Sequence, residues 1–337
     1  MKIDLSLLSP NLSDLSALVH RAEALGFDGL WTSEAAHDPF LPLTLAAEHS
    51  WRLSLGTAIA LAFARSPASL AYIAWDLARF SQGRFILGLG TQVKAHNERR
   101  LGVAWERPVD KLREIILAVC AFWDCWQTGA KLNFRGEFFK LTLMPPFFDP
   151  GPHDYPNIPI YLAGVNPLMC HLAGELGQGF HVHPLHTVRY LREQIWPAIQ
   201  QGLEQSGRRR ADIELASTVF VIPTDDPDAA HYEQQVRRQI AFYASTPTYR
   251  QVLALHGWND IAGQLSAQAV RRRWDEMSGL VTDELLAAFA VRGRWADLPH
   301  LLQVKYGDLL DRVSYYAPFV PGQKDDAWRA TIAGFKG

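Results

Sequence analysis

The chain has 337 residues, 48% of them apolar and 20% charged, which suits a globular protein of one large domain or two ordinary ones. A formal net charge of -2 gives no general attraction to nucleic acid or to an anionic membrane surface, and no apolar run approaches bilayer-spanning length. Cys120, Cys125 and Cys170 are odd in number and lie in apolar helical patterns; they read as free thiols of a reducing compartment and exclude a disulfide framework.

MKIDLSLLSPNLSD at the start of the chain lacks the apolar core of a signal peptide, so a cytoplasmic protein is expected. Arg208-Arg209-Arg210 and Arg271-Arg272-Arg273 are local basic runs in polar, helix-like stretches and read as solvated faces.

Lys2 to Leu8 alternates as a strand does. Leu15, Leu18, Val19, Ala22 and Leu25 then recur at helical spacing and stop at Gly26, a residue suited to a left-handed helix end. Gly29 to Thr32 is a second strand, followed through Ser33-Glu34 and a loop by a helix from about Leu41 to His49. Leu53 to Ala60 is a third strand. Ser66-Pro67 is a cap followed by proline at the first helical position, and its helix carries Leu70, Ile73, Ala74, Leu77 and Phe80 on one face. Gly83 closes that helix, and Arg84 to Leu89 is the fourth strand.

Strands alternating with helices are parallel strands joined by right-handed crossovers. Either an open doubly wound sheet or a closed barrel meets that description. The second half favours the barrel. After a long amphipathic helix, Asp110 to Trp126, strand-like runs recur at Ile158 to Ala163, Gly179 to His183, Ile213 to Ile222 and Arg312 to Tyr316. The expectation is therefore a single-domain (β/α)8 TIM barrel. It carries two insertions, at about 128–157 and 249–289, which would shape the pocket, and ends in a helix from Asp325 to Phe335.

In such a barrel the site is built from loops after the C-terminal strand ends. Gly88-Leu89-Gly90-Thr91 opens like a dinucleotide fingerprint, but the third glycine is missing, which rejects the Rossmann reading. Ala163-Gly164-Val165-Asn166-Pro167 runs from strand through glycine into a helix start. It is either an ordinary turn or a place for an anion. Glu34 and His37 follow the second strand and suit acid, base or cofactor-anchoring roles, or for Glu34 half of an ion pair. His181, His183 and His186 tempt a metal reading, that of a metal-dependent TIM-barrel hydrolase, but the first strand has no histidine to join them; a pocket-lining His183 is preferred and no metal is expected. There is no G-x-S-x-G and no P-loop.

GFDGLWTSE, LGTAIALAFARSPASLA, GRFILGLGTQVKAHNERR and PIYLAGVNP together resemble the bacterial luciferase-like monooxygenase superfamily, and within it the oxidoreductases dependent on the deazaflavin coenzyme F420. The resemblance spans most of the chain and implies the same barrel. It implies a hydride moved between the ring's C5 and a small organic substrate. A non-prolyl cis peptide backing the ring would map onto Ala58-Ile59. Tail and phosphate contacts would map onto Gly90, Thr91 and Ala163 to Pro167, with His183 lining the cofactor pocket. Related deazaflavin enzymes often have Asp-His after the second strand; here Glu34-Ala35 stands there and His37 follows. FMN, with the same tricyclic shape, is the alternative cofactor, for a flavin monooxygenase. Superfamily members commonly pair, so a homodimer is an expected assembly.

Overall fold

A computed structural model describes residues 1–8 and 10–336. Eight strands, β1 (Lys2–Leu7), β2 (Gly29–Thr32), β3 (Ser54–Thr57), β4 (Phe85–Gly90), β5 (Ile160–Gly164), β6 (Gly179–Val182), β7 (Glu214–Pro223) and β8 (Arg312–Tyr315), pair in parallel in that order. β8 pairs back onto β1, with Lys2 opposite Arg312 and Asp4 opposite Ser314. The sheet is thus a closed TIM barrel, the fold class the alternating sequence implies.

Strand side chains alternate between two environments. Ile3, Leu5, Leu30, Leu55, Leu87, Leu162 and Phe180 point outward into one large apolar core. Eight helices cover that face: α1 (Leu15–Leu25), α2 (Phe40–Glu48), α3 (Pro67–Phe80), α4 (Pro108–Thr128), α5 (Pro167–Leu176), α6 (Trp196–Gln205), α7 (Leu298–Tyr306) and α8 (Asp325–Lys336). Their ends follow local chemistry. Gly26 stops α1 at φ +96°, and the Ser66 hydroxyl accepts the Ser69 amide 3.1 Å away at the start of α3.

The inward face is mixed. Trp31, Ile86, Tyr161 and Ala216 pack as a second, small cluster. Trp31 fits because Gly56 lacks a side chain: a Cβ there would stand 2.2 Å from the indole. Beside this cluster Arg312 donates twice to Asp4, each bond 2.8 Å. Trp31 Nε1 donates to the same carboxylate at 2.8 Å. Arg312 also reaches Glu214 at 3.4 Å, which takes the Tyr161 hydroxyl. The lower half of the barrel is therefore filled and its charges are paired, as burial requires.

Two excursions leave the barrel. The first carries a short antiparallel hairpin, Phe134–Arg135 with Lys140–Leu141, and a turn at Pro146–Phe148. The Glu114 carboxylate on α4 receives the amides of Glu137, Phe138 and Phe139. Tyr72 and Trp75 on α3 donate to the Phe148 and Gly151 carbonyls. This segment therefore lies on the outer side of α3 and α4, and it does not shape the pocket as its aromatic residues suggest.

The second excursion begins right after β7 with a helix at Ala229–Ala244, ahead of the expected Tyr249. It continues through helices at Arg250–Ala254, Asn259–Val270, Trp274–Met277 and Asp283–Phe289. It returns by a strand, Ala290–Gly293, that pairs with the upper end of β7, Phe220 to Pro223. β7 is long enough to serve β6 and β8 below and this extra strand above. That length holds the helical excursion over the barrel mouth. Among the described residues no helix is long and apolar enough to cross a membrane.

Candidate active site

The C-terminal strand ends surround a cavity of about 1420 Å³, larger than a usual small-ligand pocket. Ala58, Ile59, Gly90, Thr91, Ala163, Gly164, Val165, Asn166 and His183 line it. Pro167 stands just behind, as the first residue of α5. The structure therefore brings the separate sequence segments to one wall, spread over β3, β4, β5 and β6.

The Ala58-Ile59 peptide is cis. The third strand does not run unbroken to Ala60 but stops at Thr57 and resumes as a two-residue piece, Ala60–Leu61. Neighbours from the β2 end pin this segment. The Ser33 hydroxyl donates to the Ala58 carbonyl at 2.9 Å, and the Glu34 amide donates to the Ile59 carbonyl at 3.2 Å.

The β4 turn is held from below. Asn97 is fully buried and its amide donates to the Thr91 and Val93 carbonyls at 2.8 and 3.1 Å. At the β5 turn the Asn166 side chain caps α5 by accepting the Met169 amide at 2.9 Å. The Tyr190 hydroxyl, at 2.8 Å, and Gln251 both donate to the Val165 carbonyl. Gly164 is needed for close approach, since a Cβ would lie 2.4 Å from that of Met169. Glycine turns at two adjacent strand ends, one opening a ten-residue helix, form a cradle that fits a phosphate-bearing tail.

The expected acid–base pair is placed elsewhere. Glu34 Oε2 accepts Arg65 Nη1 at 2.6 Å and the Leu61 amide at 2.7 Å. His37 is exposed, and neither residue lines the cavity. The loop after β2 turns outward, because Asp38 both accepts the Phe40 amide at the head of α2 and pairs with Arg65.

The three histidines part company. His181 and His183 both face the cavity, as same-face strand positions must. His181 lies deepest, edge-on to Trp31 with ring centres 4.8 Å apart, and its buried Nε2 has no hydrogen-bond partner. Burial, with Arg312 nearby, brings its pKa down to about 3. His183 stacks on Tyr249 at 4.2 Å and meets Tyr243 edge-on at 4.6 Å. Its Nδ1 accepts the Leu185 amide at 3.1 Å. Burial, then neighbouring His186, lowers its pKa to about 3. The ring is therefore neutral with its proton on Nε2. His186 instead turns back to the His183 carbonyl at 2.9 Å. Among the described residues no group of three or more His, Cys, Asp or Glu side chains is placed to hold a metal ion.

The facing wall comes from β7, β8 and the helical excursion. Thr218, Tyr243, Tyr249 and Tyr316 line it. The Tyr243 and Tyr316 hydroxyls lie 3.3 Å apart. Tyr316 directly follows β8 and so stands at a strand end, where such a barrel places its site. Tyr243 and Tyr249 sit in the excursion, where nothing in the sequence marks their position.

A family model described as luciferase-like monooxygenase matches residues 2–311. An uncharacterized protein of Mycobacterium tuberculosis is 46% identical over 292 residues, covering 86% of each chain. The F420-dependent glucose-6-phosphate dehydrogenase of Intrasporangium calvum is 30% identical over 276 residues, covering 75% of this chain and 78% of its own. Among solved structures, the coenzyme F420-dependent tetrahydromethanopterin reductase of Methanopyrus kandleri superposes with a TM-score of 0.79 at 20% identity. That match covers 99% of this chain and 97% of the other.

Proposed function

The chain belongs to the luciferase-like monooxygenase family, and from that premise we propose that it is an oxidoreductase using coenzyme F420 to move a hydride to or from a small organic substrate. When bound, the deazaflavin supplies a hydride-carrying carbon at ring C5. The observation that carries the reading is the wall made by Ala58-Ile59 and the two glycine turns. Ala58 and Ile59 would hold the flat ring, and the Gly90-Thr91 and Ala163 to Asn166 turns, with Pro167 as the first residue of the helix that follows, would hold the phosphate of the tail. His183, neutral with its proton on Nε2, lines the same cavity and would offer that proton to the cofactor or the group beside it.

The protein's share of the work is orientation and exclusion of water. The pinning of Ala58 and Ile59 by Ser33 and Glu34 fixes the floor. Tyr190 and Gln251 fix the tail turn. Glu34 acts here as an anchor for the floor, and proton donation to substrate falls to the groups that do face the cavity.

Titration of the purified protein with coenzyme F420 and, separately, with FMN tests the proposal, read by quenching of tryptophan fluorescence. Tight response to the deazaflavin with little to FMN supports it. The reverse preference replaces it with a flavin-dependent oxygenase, and response to neither removes both.

A further inference from the structure

The cavity is divided by strand. The Ala58-Ile59 floor and the glycine turns occupy the β3 to β5 side. The β6 to β8 side is walled by His183, Tyr243, Tyr249, Tyr316 and Thr218. The two sides differ in what they offer a ligand.

The β6 to β8 side offers hydroxyl, imidazole and amide groups, Gln235 and Gln323 among them, and no free cation among the described residues. Burial raises the phenols of Tyr243 and Tyr316, and the Tyr249 phenol is pushed up to about 12, so all three keep their protons at neutral pH. Among the described residues no arginine lines the cavity, and its two lysines are Lys94 and Lys324. Lys94 stands beyond the β4 turn, on the tail side. Lys324 is spoken for: it pairs with Asp226 at 2.8 Å and Asp228 at 3.2 Å and meets the Tyr232 hydroxyl at 3.3 Å. A phosphate or carboxylate on this side would lose its water without gaining a cation, which disfavours its binding there.

The donors are also held in place. Tyr243 Oη and Tyr316 Oη share a hydrogen bond, so between them one hydroxyl proton is left for an acceptor. His183 packs edge-on against the Tyr243 ring, and Tyr249 stacks on the other part of His183. Phe220 backs Tyr316 with ring centres 5.0 Å apart. A fixed pair of hydroxyls above an apolar, aromatic wall recognises one oxygen on an otherwise apolar body.

We infer that the β6 to β8 side binds an uncharged ketone or alcohol, with its oxygen on the Tyr243–Tyr316 hydroxyl pair. This deepens the proposed function and rests on it only for placing the cofactor on the opposite side. Sugar phosphates and oxo acids are excluded by the absence of a free cation.

The test measures binding in a complex that cannot turn over, since ketone and coenzyme are both oxidised. Cyclohexanone, acetophenone and menthone are titrated against the protein loaded with oxidised coenzyme F420, alongside glucose 6-phosphate and 2-oxoglutarate. Calorimetry and the coenzyme's absorbance are the readouts. At least one neutral ketone should bind ten-fold more tightly than either anion. Tyr316→Phe should weaken that ketone about five-fold, the usual value of one hydrogen bond, and leave the Kd for the coenzyme unchanged, which also shows that the variant folds. Tyr243→Phe should do the same. Tighter binding of an anion, no binding of any ketone, or an unchanged ketone Kd in Tyr316→Phe overturns the inference. Failure of the coenzyme itself to bind instead removes the proposed function, and the ketone-against-anion contrast is then read on the free protein.

Discussion

Glu34 and Arg65 are joined side chain to side chain at 2.6 Å, each with about 15% of its side chain exposed (15% and 16%). The pair ties the β2 loop to the segment that follows the cis peptide, because Glu34 also takes the Leu61 amide. Glu34→Gln should lower stability by about 2 kcal/mol, between the values of exposed and buried pairs. It should also weaken coenzyme binding through a looser floor. Turnover at saturating coenzyme should fall only a few-fold. A loss of about 100-fold or more in kcat, with unchanged stability by urea denaturation, would instead make Glu34 a general acid or base.

Arg312→Leu should be among the most damaging single changes. It leaves Asp4 buried and unpaired in the barrel, a loss of about 3 to 5 kcal/mol. Pairing it with Asp4→Leu removes both charges together and should recover much of the loss. Denaturant midpoints of the single and double variants check this.

Acid should unfold the protein cooperatively, and the sign follows from three histidines. His181, His183 and His186 have pKa values lowered to about 3, 3 and 4 by burial, against about 6.5 in an unfolded chain. The unfolded state therefore binds protons that the folded state refuses. The stability contributed is full above about pH 6.5 and is lost progressively as pH falls through the folded values of about 4 and 3. Each histidine contributes a slope of at most about 1.4 kcal/mol per pH unit. Urea midpoints at pH 7.5 and 5.0 should differ accordingly, and His186→Asn should flatten the dependence.

Gly164→Ala should fold but bind the coenzyme poorly. The added methyl meets Met169 at 2.4 Å, so the turn must open where the tail would rest. A ten-fold weaker Kd is expected. Asn166→Ala removes the cap of α5 and should cost about 1 kcal/mol of stability with a smaller effect on binding. Fluorescence titration and thermal melts separate the two.

Much of this architecture was legible in the residues. Strand, helix and strand again from Lys2 to Leu89 leaves few folds, and Gly26, Ser66 and Pro67 mark helix ends by local rules that tertiary structure did not override. The glycine turns were legible for the same reason: a missing Cβ is a local fact with a local cause. Directions were not. Glu34 stands at a strand end, yet its side chain points to Arg65 because the loop from Ser33 to Pro39 turns on Asp38, and no periodicity reports that. The Ala290–Gly293 strand is four residues long and hides behind helices, paired to a part of β7 that leaves the barrel. Tyr243 and Tyr249 reach the cavity only through the way the excursion folds back, which long-range packing decides.

The filled lower barrel has a kinetic consequence. Below the floor, between Asp4, Trp31, His181 and Arg312, only about 20 Å³ is left, room for roughly one water molecule. The chamber is thus a cup closed from beneath, so whatever it binds enters and leaves by the mouth, and the rate of exchange is set by the residues at the rim.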